Sequence, residues 1–192
     1  MNLPNKLTIL RICLVPFVVV IYLCMSPEYC VIDAVSGLSL RNILVLAIFA
    51  IASITDYFDG MIARKNNWIT SFGKFADPIA DKLLVNTVLI LLASTQEISV
   101  IPVLIMIARD LVVDGLRMSA AKSGEVVSAG WCGKVKTVLQ MAAILLTLLC
   151  NWPFAYLHIP VATILLWAAT IASVYSGMIY FQKLKKYVLE TM

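Results

Sequence analysis

Apolar residues run along this chain in six long blocks, near 8–25, 40–60, 78–95, 99–121, 135–151 and 159–182. Each block is about the length a helix needs to cross the hydrocarbon core of a bilayer, and the polar stretches between them are short. The pattern predicts an all-α polytopic membrane protein. Six transmembrane helices form one domain over 1–192, preceded by a short interfacial segment, Met1–Lys6, that contains Pro4. Pro16 falls inside the first block, where it is expected to kink the helix. Pro78 suits a first helical turn, so the third helix is expected to start near Asp77. Residues 26–39, 65–76 and 122–134 read as loops, and Asn151-Trp152-Pro153 ends the fifth helix.

Composition agrees with the pattern. The 192 residues are 61% hydrophobic and 14% charged, with a mean hydropathy of +0.94. A soluble domain of this size has too little interior for that much apolar surface. Of the 15 Lys and Arg residues only Arg41 falls on one side of the six-block layout, which leaves 14 on the other. Basic residues favour the cytoplasmic side, so both termini and the loops 65–76 and 122–134 are expected there. Trp152, Tyr156 and the sole histidine, His158, then fall near the outer face. The first block ends in Ser26-Pro27-Glu28 without a small-residue cleavage site, so no removable leader is expected. The five cysteines show no metal-ligand spacing and read as small, membrane-compatible residues, with a Cys24–Cys30 disulfide as the alternative. No nucleic-acid partner is expected.

Four of the 11 acidic residues lie within one 26-residue stretch. Asp56 and Asp59 are three apart and share a helix face with Gly60 and Ala63. Gly73, Asp77 and Asp81 are spaced by four and align on the next helix. Four carboxylates brought together would repel and raise one another's pKa unless cations joined them. Carboxylate oxygens are hard donors that suit Mg²⁺ or Mn²⁺, and two such ions can clamp a phosphoryl transfer. Gly60, Ala63 and Gly73 leave room for a bulky phosphate-bearing ligand. Helix-end aspartates with packing residues would explain one pair; they do not explain the whole set at one predicted face.

A second cluster is basic. Arg109 and Arg117 are eight apart and share a face of the fourth helix. Arg109 lies deep in an apolar block and needs a partner. Its neighbour Asp110 points about 100° away on a helix and is expected to be a poor one, although Asp110 or Asp114 remains the structural alternative. The following loop is expected to add Gly133, Lys134, Lys136 and Thr137, with Gln140 one turn on. Such a pocket suits an anionic acceptor. Small residues in the last block (Ala168, Ala169, Ala172, Ser173, Ser176, Gly177) predict a close helix contact, within one subunit or across a homodimer.

The complete pattern D-x-x-D-G-x-x-A-R-x8-G-x-x-x-D-x-x-x-D, from Asp56 to Asp81, resembles the signature of the CDP-alcohol phosphatidyltransferases. The six-block layout resembles that family over essentially the whole chain. The resemblance implies that Asp56, Asp59, Asp77 and Asp81 hold two Mg²⁺ or Mn²⁺ ions and that Asp81 also acts as general base. It implies a CDP-diacylglycerol pocket made of Asn5, Thr8, Asp56, Gly60, Ala63, Arg64, Thr70, Ser71 and Gly73. The opening N-L-P-N-K-L-T-I-L-R, the A-R-D…G-L-R of the fourth block and G-K-V-K-T-V-L-Q look like the bacterial branch whose acceptor is sn-glycerol 3-phosphate. That implies a bacterial inner-membrane enzyme whose site faces the cytoplasm, with Arg109, Arg117, Lys134, Lys136 and Thr137 on the acceptor phosphate and Arg11 a weaker candidate. Asp110 stands where that branch suggests Glu, and Asp114 where it suggests a small or apolar residue. Another acceptor (inositol phosphate, serine or a phosphatidyl lipid) is the rival within the family. An ion- or proton-coupled transporter is the rival outside it, though no internal repeat supports one.

Overall fold

The computed structural model describes residues 3–26, 30–33, 37–65, 71–122 and 130–189. Six α-helices account for most of them: α1 (Leu3–Cys24), α2 (Leu40–Lys65), α3 (Ser71–Ser94), α4 (Val100–Lys122), α5 (Trp131–Leu148) and α6 (Val161–Leu189). Each matches one of the apolar blocks. Among the described residues three stretches are long and apolar enough to cross a membrane: Asn5–Cys24, Trp131–Leu148 and Val161–Lys185. Large apolar side chains stay exposed on their outer faces, among them Phe17, Leu23, Ile171 and Phe181. Water would penalise such a surface, whereas lipid does not.

Three boundaries differ from the expectation. Helix α3 starts at Ser71, not near Asp77, and Pro78 lies inside it. A proline there frees one carbonyl, that of Lys74. The helix runs through because one lost bond costs less than unwinding the two preceding turns, which carry Gly73 and Asp77. Helix α5 starts at Trp131, so Gly133, Lys134, Lys136 and Thr137 are helical rather than in a loop. The outer segment holds a small antiparallel hairpin, β1 (Val31–Asp33) with β2 (Leu38–Ser39), turned at Gly37 with φ +72°. All five cysteines are free, so Cys24 and Cys30 form no disulfide.

The chain forms two compact units. The first comprises Met1–Thr95 and Leu148–Ile159. In it α1 packs along both α2 and α3. Its buried positions recur every three or four residues: Val15, Val18 and Tyr22 on α1, Val45, Phe49 and Ala52 on α2, Ala76, Ala80, Leu84 and Val88 on α3. One end of this unit is closed by polar contacts. Arg41 is buried with its guanidinium carbon 4.2 Å from the centroid of the Tyr22 ring, and its Nε donates to Asn42 Oδ1 at 3.2 Å. The Tyr22 and Thr95 hydroxyls meet at 2.9 Å, and Asn42 Nδ2 donates to Cys150 Sγ at 3.2 Å. The one basic residue assigned to the outer side is therefore desolvated against an aromatic face. Nearby, Tyr156 donates to Asp33 Oδ2 at 2.8 Å, and this bond to a carboxylate raises the phenol's pKa.

The second unit comprises Gln96–Thr147 and Pro160–Met192. Helices α4 and α6 pack along their length. Val113, Leu116 and Ala120 of α4 form one buried cluster with Tyr180 and Leu184 of α6. The stripe of α6 that is buried reads Leu166, Ala169, Ser173, Ser176, Tyr180 and Leu184, again at helical spacing. Its small members let α4 come close. A Cβ on Gly177 would sit 3.0 Å from Arg109 Cγ, tighter than ordinary contact. The contact predicted for Ser173, Ser176 and Gly177 is thus made within one subunit, against Arg109.

Candidate active site

The acidic end belongs to the first unit. Helix α3 carries Gly73, Asp77 and Asp81 on successive turns; Gly73 is buried and both carboxylates are partly exposed. Asp56, Asp59, Gly60, Ala63 and Arg64 lie on the last turns of α2, the two aspartates three residues apart on its backbone. Their side chains, that of Ser71, and residue Thr70 lie outside the described residues. Among the described residues no set of three His, Cys, Asp or Glu side chains is gathered for a metal.

What is described fits a hard cation. Thr8 is fully buried on α1 and donates its hydroxyl to Asp77 Oδ1 at 2.5 Å, which fixes the carboxylate and leaves Oδ2 for a ligand. Asp81 follows one turn later. The two described side chains of the expected set are both carboxylates, whose hard oxygens are the donors Mg²⁺ or Mn²⁺ prefers. Asn5, one turn before Thr8, is also buried. Thr8, which the family resemblance puts in the lipid pocket, gives its hydroxyl proton to Asp77.

The basic cluster belongs to the second unit, and the structure corrects one expectation about it. Asp110 is the partner of Arg109: Nη1 donates to Asp110 Oδ1 at 2.9 Å. The other oxygen of the same carboxylate accepts from Lys136 Nζ of α5 at 2.6 Å. Successive helix residues do point about 100° apart, but the long stem of an arginine reaches round that angle. Arg109 Nε donates to the Ser173 carbonyl at 3.1 Å and Nη2 to Ser176 Oγ at 2.6 Å, so all three guanidinium nitrogens are used.

Arg117 is placed otherwise. Its Nη2 donates to the Tyr180 hydroxyl at 3.1 Å, and its Nε is buried without a hydrogen-bond partner. No carboxylate lies at ion-pair distance from it among the described residues. Gln140 Nε2 and Ser173 Oγ are likewise buried without partners. Each orphaned polar atom costs about 1–3 kcal/mol unless a ligand or water serves it. Arg117 and Gln140 are the donors a small anionic ligand would find open.

Lys134 and Thr137 do not join Lys136. Lys136 is buried and faces Asp110, whereas Lys134, two residues earlier, is exposed on the opposite side of α5. Thr137 is exposed too, and its hydroxyl donates to the Gly133 carbonyl at 3.1 Å. The compact set is Arg109, Asp110, Lys136, Arg117 and Tyr180. Tyr180 was missed by sequence reasoning. Its signal was its place four residues after Ser176 on the small-residue stripe.

The first unit thus carries Asp77 and Asp81 on one helix, the second a desolvated basic cluster, and the helices of both have lipid-suited outer faces. These are the marks of an enzyme that handles phosphorylated lipids at a metal site. The sequence profile of the CDP-alcohol phosphatidyltransferase family matches residues 1–175, and the chain belongs to that family. The family transfers phosphatidyl groups and is in general dependent on divalent metal ions. Among curated relatives, a CDP-diacylglycerol–glycerol-3-phosphate 3-phosphatidyltransferase of Bacillus subtilis is 41% identical over 95% of this chain and 94% of its own. Enzymes of the same name from Rickettsia bellii and Haemophilus influenzae are 40% and 36% identical, the first over 97% of both chains, the second over 100% of this chain and 97% of its own.

Proposed function

We propose that this protein transfers the phosphatidyl group of CDP-diacylglycerol to sn-glycerol 3-phosphate, giving phosphatidylglycerol phosphate and CMP. The observation that carries the reading is the buried basic cluster of Arg109, Lys136 and Arg117, in which Arg117 Nε is without a hydrogen-bond partner; it suits a phosphate-bearing acceptor rather than a neutral alcohol. The names of the relatives point the same way.

Asp56, Asp59, Asp77 and Asp81 hold the metal. Bound there, Mg²⁺ or Mn²⁺, two per site, would neutralise the diphosphate and polarise the phosphorus under attack. Asn5, Gly60, Ala63, Arg64, Thr70, Ser71 and Gly73 line the CDP-diacylglycerol pocket, with Thr8 steadying Asp77 at its edge. Arg109, Arg117 and Lys136 take the acceptor phosphate, and Lys134 and Thr137 attract it from the surface of α5. Asp81 removes the proton from the acceptor's sn-1 hydroxyl. That oxygen attacks the phosphorus bearing diacylglycerol, its bond to the bridging oxygen breaks, and CMP leaves. All six helices span the bacterial cytoplasmic membrane, with both termini and the site on the cytoplasmic side.

An acceptor panel tests the reading. Purified protein with CDP-diacylglycerol and Mg²⁺ is offered glycerol 3-phosphate, inositol phosphate, serine and phosphatidylglycerol, and the lipids are read by mass. Phosphatidylglycerol phosphate should be the main product. Equal or faster transfer to another acceptor would overturn it.

A further inference from the structure

We propose that Tyr180 is a positioning residue for the acceptor phosphate: it holds Arg117 in place without neutralising it. The inference rests on the acceptor reading of the basic cluster. Tyr180 is buried on α6, and its hydroxyl accepts from Arg117 Nη2 at 3.1 Å and from the Gly130 backbone N–H at 2.5 Å. Its ring centroid lies 5.0 Å from the guanidinium carbon of Arg117 and 5.7 Å from that of Arg109. One side chain of α6 therefore touches both arginines of α4 and the start of α5.

The chemistry of that choice matters. Two guanidinium groups and an ammonium packed together repel. Asp110 offsets this for Arg109 and Lys136 by ion pairing, which also occupies their donors. A second carboxylate on Arg117 would do the same, and a phosphate would have to displace it. A phenol gives Arg117 a hydrogen bond and a ring face, both attractive to a cation, yet brings no net charge. The guanidinium is fixed while its charge stays available, and its Nε keeps no partner. Gly130 and Gly133 complete the arrangement. A Cβ at either would meet the Tyr180 hydroxyl at ordinary contact distance, 3.6 and 3.8 Å, so the α5 start lies directly against the phenol.

The test uses the full-length purified enzyme in lipid nanodiscs. Tyr180→Phe keeps the ring and removes the hydroxyl. It should raise the KM for glycerol 3-phosphate about three- to tenfold, the range of one typical hydrogen bond's net contribution. The KM for CDP-diacylglycerol and kcat should hold, and Tm should fall by no more than a few degrees, because Arg117 Nη2 and the Gly130 N–H lose their acceptor. In an Arg117→Ala background the same change should have no further effect on KM, because the hydroxyl acts through Arg117. A fall in Tm with both KM values unmoved, failure of the Phe variant to fold, or an undiminished effect in the Arg117→Ala background would each overturn the proposal. If Arg117→Ala itself leaves the acceptor KM unchanged, the acceptor reading fails. If Arg117→Ala raises that KM and Tyr180→Phe does not, the role of Tyr180 alone fails.

Discussion

Thr8 on α1 donates its hydroxyl to Asp77 on α3, joining residues 69 positions apart at the acidic end of the first unit. Thr8 is fully buried and Asp77 partly exposed, so the bond sits at the edge of the unit's interior. A carboxylate held by a hydroxyl on one oxygen presents the other in a fixed direction. Outer partners of this kind orient metal ligands, and losing one typically costs about 10–100-fold in metal affinity or activity.

Thr8→Val keeps the shape of the side chain and removes the hydroxyl. Asp77 should then lose its orientation, and the Mg²⁺ or Mn²⁺ concentration for half-maximal activity should rise about tenfold, the lower end for an outer-shell loss. A metal titration of CMP release, paired with Mn²⁺ binding followed by electron paramagnetic resonance, reads this directly. Unchanged metal affinity would make the Thr8–Asp77 bond a matter of packing alone.

Asp81→Asn should stop turnover, because an amide takes no proton and is a weak metal ligand. Loss of the base alone costs on the order of 10²–10⁴-fold in rate. Exhaustive chelation of the unaltered enzyme should silence it to the same degree, and added Mg²⁺ or Mn²⁺ should restore it. CMP release near the unaltered rate by Asp81→Asn would remove the residue from both roles.

The helices were legible because burial on a helix repeats every three to four residues, whether the other face meets water or lipid. The apolar block 40–60 became α2 over Leu40–Lys65, and the shared face of Arg109 and Arg117 was right, since both reach the Tyr180 ring. The extra residues at helix ends were not legible. The turns before Pro78 and the stretch Trp131–Lys134 are polar or glycine-bearing, and apolar periodicity says nothing there. Partners were least legible of all. Asp110 with Lys136 and Thr8 with Asp77 are contacts between helices, which no spacing within one helix encodes.

Asp110 bridges Arg109 and Lys136 with one oxygen each, and its side chain is only 11% exposed. Asp110→Ala would remove the carboxylate that bridges the two cations. Removing one partner of a buried ion pair costs about 3–5 kcal/mol. The variant should unfold several degrees earlier, and α5 should lose a polar tie to α4. Asp110→Glu should retain the fold, because the longer acid can still reach both cations. A Tm for Asp110→Ala equal to that of the unaltered protein would show that the bridge contributes nothing to stability.

Gly177 gives the sharpest steric test of the basic cluster. It lies on α6 beside Ser176, and a Cβ there would stand 3.0 Å from Arg109 Cγ and 3.6 Å from Arg109 Nε. The nearest of these is too close, so Gly177→Ala must move the arginine stem by a few tenths of an ångström. Three hydrogen bonds depend on that stem: to the Ser173 carbonyl, to Asp110 and to Ser176. Alanine favours a helix interior over glycine by roughly 0.5–1 kcal/mol, so α6 itself gains from the change. The two effects separate cleanly. Tm should hold or rise slightly, while the KM for glycerol 3-phosphate should rise and that for CDP-diacylglycerol should not. If both KM values stay fixed, the position of Arg109 does not govern acceptor binding, and its three bonds serve only to fasten α4 to α6.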